Sequence, residues 1–150
     1  MKKTFLQMTA ALLLGACAPS QSDIDERAQK TATEFSQAYF NYDFKEAGKL
    51  ATPESEKWLR YAASNVSQAV VDLYNDNELP ASAEATDFYW SDDTTATVCV
   101  RVSDYIADDS IMSAPQIAKE GLFRLTVVRR DNKMLVRMAG PLRSEKQSRD

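Results

Sequence analysis

The chain has 150 residues, 27% of them charged, with 18 basic against 22 acidic side chains and a formal net charge of −4. That acidic balance argues against a nucleic-acid partner, which is held by basic surface, and the length suits one domain with a real core. There is no histidine, which removes Ser-His-Asp and Cys-His catalysis, histidine general bases and the commonest metal ligand.

The first element is a leader. Lys2 and Lys3 precede a mostly apolar run from Phe5 to Leu14, interrupted by Gln7 and Thr9, and small residues Gly15 and Ala16 lead to Cys17. This is the layout of a secretory signal, and it falls short of the roughly 20 apolar residues that cross a bilayer. Leu14-Gly15-Ala16-Cys17 resembles the bacterial lipobox, with an ordinary secretory signal as the alternative. The resemblance implies removal of residues 1–16, a diacylglycerol (and palmitate-type acylation) on the Cys17 sulfur, and a chain held at a bacterial membrane in the cell envelope. Ala18 stands where an aspartate would favour inner-membrane retention, so the outer membrane is favoured. With Cys17 lipidated, Cys99 is alone and no disulfide forms within the chain.

Residues 17–22 read as a small, polar tether. Ser22 with Asp25 then suggests a capping pair, opening a helix whose inward face is Ile24, Ala28, Thr31, Ala32, Phe35, Ala38, Tyr39 and Tyr42. Asp43 with Glu46 opens a short second helix. Thr52-Pro53 starts a third, expected to run unbroken to about Asn75, because proline at the first helical position has no amide to satisfy. After Pro80 the period changes to two, predicting strands at Ser82 to Trp90, Thr94 to Ser103, Gly121 to Arg130 and Lys133 to Ala139. Ser91-Asp92-Asp93 and Asp131-Asn132 are turn material, so the strands pair as two hairpins. Alternation puts Val98, Val100, Phe123, Leu125 and Val136 inward, and Arg101, Arg124, Arg137 and Cys99 on the opposite face. Asp104 to Lys119 is expected to be a loop, and residues 143–150 a polar tail.

The predicted fold class is α+β, three N-terminal helices packed on a curved four-stranded antiparallel sheet across residues 23–142. Together with the phrase FSQAYFNYDFKEAGKLATPES (Phe35 to Ser55), this order resembles the NTF2-like, or cystatin-like, superfamily and its small bacterial lipoproteins. The resemblance implies a cone with a pocket at its open end, and candidate pocket residues are Tyr39, Trp58, Phe88, Trp90 and Phe123. Relatives divide between enzymes and pure binders, so the residues must decide.

Ketosteroid-isomerase chemistry needs an aspartate base with a tyrosine and a protonated acid as oxyanion donors. Asp87, Asp104, Tyr39, Tyr89 and Tyr105 supply the types, without a family motif. The run DYIADDS lacks the regular acidic spacing and glycine of a calcium loop and reads as solvated, so neither a metal nor a cofactor is expected. Charge is uneven: residues 17–118 hold 7 basic and 18 acidic side chains, net −11, whereas 119–150 hold 9 and 4, net +5. Arg101, Arg124 and Arg137 are therefore the candidate partner surface, for an acidic protein, lipid headgroups or a second copy, with simple surface pairing as the plainer account. The sequence reading is thus a membrane-anchored envelope lipoprotein, non-enzymatic, binding a small hydrophobic ligand or a protein partner. An isomerase or lyase with Asp/Tyr chemistry is the alternative.

Overall fold

The computed structural model describes residues 17–108 and 113–145. Residues 1–16, on which the expected leader falls, residues 109–112, which include Asp109 and Ser110 of the acidic run, and residues 146–150 lie outside the described residues.

Helix α1 (Gln21–Phe40) starts two residues earlier than the capping pattern suggested. Ser20 is the cap: its hydroxyl accepts from the Asp23 amide, and the Asp23 carboxylate accepts from the Ser20 amide at 3.0 Å. Ser22 and Asp25 have the same spacing, so the pattern alone could not separate the two registers. Ile24, Ala28, Ala32, Phe35 and Ser36 form the buried stripe, at the spacing of one helical face. Asn41 closes the helix, and its side-chain amide donates to the carbonyls of Gln37 and Ala81, both at 2.8 Å. The helix end is thereby tied to the chain entering the sheet.

Helix α2 (Phe44–Lys49) follows, capped by Asp43, whose carboxylate accepts from the Glu46 amide at 3.1 Å. Four helices are present among the described residues, not three. The helix expected from Pro53 to Asn75 is a short 3-10 turn (Pro53–Ser55), then α3 (Glu56–Ser64) and α4 (Gln68–Asp76). The break has local causes. Asn65 turns its side chain back to the Tyr61 carbonyl at 2.7 Å, Ser64 does the same to Arg60 at 2.8 Å, and Ser67 recaps the chain by accepting from the Val70 amide. Short polar side chains compete with the helical ladder in this way and favour its ends.

The sheet has the order β1-β2-β3-β4, all neighbours antiparallel, with β1 (Ser82–Trp90), β2 (Thr95–Ala107), β3 (Gln116–Arg130) and β4 (Lys133–Arg137). A bulge interrupts β1 between Ala85 and Asp87. Asp131 and Asn132 both have positive φ (48° and 65°), as a tight hairpin turn requires. Helix α1 lies against the sheet and touches all four strands, sharing one core with Val98, Val100, Val102, Phe123, Leu125, Val127 and Val136. The free edge of β4 is covered. The Thr52 amide donates to the Val136 carbonyl at 2.9 Å, the Val136 amide to Leu50 at 2.7 Å, and the Met138 amide to the buried Ser55 hydroxyl at 2.8 Å.

Half of the segment expected to be a long loop is strand, since β2 continues to Ala107 and β3 begins at Gln116, just past Pro115. Register is unbroken through Ser103↔Glu120 and Tyr105↔Ala118, yet Asp104 has φ 56°. Strict alternation ends at that left-handed residue, and Tyr105 and Ile106 are buried one after the other. Tyr105, which strict period two would place outward with Arg101 and Ser103, is buried and joins the core.

Candidate ligand cavity

The inward turn of Tyr105 builds one wall of a cavity of about 410 Å³ at the end of the domain where α1 stops and β2 runs out. Its ring meets Phe40 at 5.3 Å and Phe123 at 5.4 Å between centroids, and Phe40 meets Phe123 at 4.6 Å. Tyr39 extends this group edge-on to Phe44 at 5.6 Å, and Tyr42 stands edge-on to Tyr74. Tyr61, Ala62, Val66 and Val70 of the α3–α4 pair form the opposite wall, and Pro141 and Leu142 close one side. Offset and edge-on aromatic packing of this kind fixes ring positions, each pair adding about 0.5–1.5 kcal/mol beyond area.

Gly121 shows how tightly the Tyr105 wall is set. It pairs with Val102 on the inner face, and a Cβ there would stand 2.5 Å from the Tyr105 hydroxyl oxygen and 3.0 Å from two ring carbons. Among the described residues no glycine has positive φ. Space, not backbone conformation, demands glycine at 121.

The polar side chains of the described lining are the phenols of Tyr39, Tyr42, Tyr61 and Tyr105, the Asn65 amide and the Asp108 carboxylate. Burial holds the Tyr42 phenol up at about 12, with Asp108 and the neighbouring Tyr39 and Tyr74 adding to the effect. Burial likewise raises Tyr39, partly offset by a hydrogen bond with the backbone of Leu142. The carboxylate in the described lining is Asp108, which is exposed at the rim beside exposed Asn65. Asp87 accepts from the Phe88 amide at 2.9 Å and pairs in register with Cys99, and Tyr89 is 53% exposed opposite Thr97. Neither shares the cavity with Tyr39 and Tyr105.

Of the five aromatics expected at a pocket, Tyr39 and Phe123 line this cavity, and Trp58, Phe88 and Trp90 do not. Trp58 packs on the core from α3, with the Lys57 ammonium 5.2 Å from its ring. Phe88 packs along β1, and the Trp90 indole donates to Asp25 at 2.7 Å near the start of α1. The sequence pattern does not single out Phe40, and it reads Tyr42 as a helix-face residue and Tyr105 as a candidate for isomerase chemistry, not as pocket residues. For Tyr42 a signal existed, since Asn41 to Asp43 breaks the helix and Tyr42 sits there at φ 61°.

The three arginines lie on the outer sheet face, as alternation predicts. Arg101 stands between Glu84 (3.8 Å) and Glu120 (3.5 Å), Arg124 pairs with Glu145 at 2.7 Å, and Arg137 is exposed opposite Thr126. Half-buried Cys99 lies beside Arg124 in register. Exposed pairs of this kind contribute at most about 1 kcal/mol each. Cys17 is exposed, four residues ahead of α1. Among the described residues no group of three His, Cys, Asp or Glu side chains could hold a metal ion, and no helix is long and apolar enough to cross a membrane.

No protein-family model matches the chain, and no curated protein matches it. Solved structures similar to it include a variant of Rv3472, a protein of unknown function from Mycobacterium tuberculosis, at 17% identity and TM-score 0.49, covering 87% of this chain and 78% of that one. A protein from Catenulispora acidiphila aligns at 13% identity and TM-score 0.47, over 85% of this chain and 96% of its own. An "Ntf2 like protein involved in plasmid conjugation" aligns at 14% identity and TM-score 0.41, over 81% of this chain and 48% of its own length.

Proposed function

We propose that the protein is a cell-envelope lipoprotein, anchored to the membrane through Cys17, whose NTF2-like domain holds a small apolar ligand and performs no chemistry on it. The observation that carries the binding role is the aromatic cavity at the end of the sheet. Its volume falls within the usual range of small-molecule sites. Its walls are rings and aliphatic side chains, with phenol and amide groups enough to orient a ligand.

Tyr42, held at about 12, is a neutral hydrogen-bond donor at neutral pH and not a proton-transfer base. Asp87 and Tyr89, two of the residues of the types isomerase chemistry requires, lie outside the cavity, and its described carboxylate, Asp108, is exposed at the rim. That separation favours binding over catalysis.

Trp58 and Trp90 lie away from the cavity, so an added fluorescent probe reports better than the intrinsic indoles. N-phenylnaphthylamine, with roughly 17 heavy atoms at about 0.3 kcal/mol each, gives about 5 kcal/mol and a Kd on the order of 0.2 mM. Ala62→Trp fills the α3 wall and is expected to abolish saturable binding while leaving the unfolding transition in place. Undiminished binding to Ala62→Trp refutes the site. The anchor is tested separately: Cys17→Ser is expected to release the protein from membranes and globomycin to block processing, and a membrane-bound Cys17→Ser refutes the lipid.

A further inference from the structure

The two ends of the domain differ, and the anchor joins only one of them. The start of α1 sits beside both hairpin tips: Trp90 bonds Asp25, Arg27 donates to the Asn132 carbonyl, and Gln21 and Ile24 border a hollow with Asp92 and Asp93. The far end of α1 meets the cavity, where Phe40 packs on Tyr105 and Phe123. Twenty helical residues separate these ends, about 30 Å at 1.5 Å each.

Between Cys17 and Gln21 the chain can span at most about 14 Å when fully extended. Pressing the cavity mouth against a bilayer would lift the start of α1 about 30 Å from it, more than twice that reach. The hairpin tips, joined to the start of α1 by the Trp90–Asp25 and Arg27–Asn132 bonds, are the part of the domain that the short tether holds nearest the bilayer. We infer that the anchored protein stands with its hairpin tips toward the bilayer and opens its cavity into the aqueous compartment. The ligand then arrives from water, not by sliding out of the membrane that holds the protein. The exposed Tyr61 and Tyr74 near the mouth face solution and not lipid. This inference rests on the lipid anchor proposed above, and the test separates the two.

The full-length chain in a Cys99→Ser background, lipidated at Cys17, receives one reporter cysteine, either Asp93→Cys at a hairpin tip or Asn65→Cys at the cavity rim. Each labelled protein is bound to phosphatidylethanolamine–phosphatidylglycerol vesicles carrying a nitroxide phospholipid. The label at 93 is expected to be quenched at least about threefold more than the label at 65, given the length of α1. Equal quenching, high or low, or stronger quenching at 65 overturns the orientation while leaving the anchor intact. A protein that does not float with the vesicles overturns the anchor, and the orientation with it.

Discussion

Gly121→Ala tests the packing on which the cavity wall depends. The new methyl would lie 2.5 Å from the Tyr105 hydroxyl oxygen and 3.0 Å from two ring carbons, and the ring is held between Phe40 and Phe123 at 5.3 and 5.4 Å. Replacing glycine in a strand would otherwise gain about 0.5–1 kcal/mol, whereas overpacking costs about 1–3 kcal/mol. The balance is a net loss of about 1–2 kcal/mol, and with an m-value of roughly 2 kcal/mol/M the urea midpoint falls by about 0.5–1 M. Tyr105→Leu removes all three contacting atoms and keeps an apolar side chain. In that background Gly121→Ala is expected to be neutral or slightly stabilising, a coupling of about 1–2.5 kcal/mol in a double-mutant cycle. An equal loss in both backgrounds, or a stabilising Gly121→Ala in the native one, refutes the reasoning.

Asp104 holds φ 56° inside β2, so Asp104→Val is expected to cost about 1–3 kcal/mol and Asp104→Asn much less, read by chemical unfolding. Ser67→Ala removes the hydroxyl that accepts from the Val70 amide and should lower stability by about 0.5–2 kcal/mol, with loss of helical signal confined to α4. Burial keeps the Tyr42 phenol protonated to about 12 while unfolded tyrosines ionise near 10. Stability from this group is therefore complete below pH 10 and declines as pH rises toward 12. Tyr42→Phe should show a shallower decline across that window, and an unchanged slope would contradict the assignment.

Where local pattern and tertiary structure agreed, the sequence was easy to read. Val98, Val100, Phe123, Leu125 and Val136 are all buried as alternation requires, β1 has the predicted ends, and Asp131-Asn132 turns as its residues suggest. Helix α1 was displaced by two residues because Ser20-Asp23 and Ser22-Asp25 present the same signature, and only packing chooses between them. The α3–α4 break was written in Ser64, Asn65 and Ser67, but apolar residues at helical spacing ran across it and masked the caps. The cavity was the least legible part. Its Tyr105 wall depends on one backbone angle at Asp104 and on the space above Gly121, a residue paired across the sheet. Neither feature has a periodic signature, so the pattern ends the strand at Ser103 and places Tyr105 in a loop.

The central claim, that the aromatic cavity takes a small apolar ligand, is tested most directly by methyl NMR during titration with N-phenylnaphthylamine. Ala62, Val66, Val70 and Ile106 line the cavity, whereas Val98 and Val136 lie deep in the core and Leu135 pairs with Val128 in β3. Saturable shifts concentrated on the first four, with contacts from the probe to those methyls, are the predicted result. Shifts centred elsewhere, or shifts that grow linearly without saturating, would contradict the account.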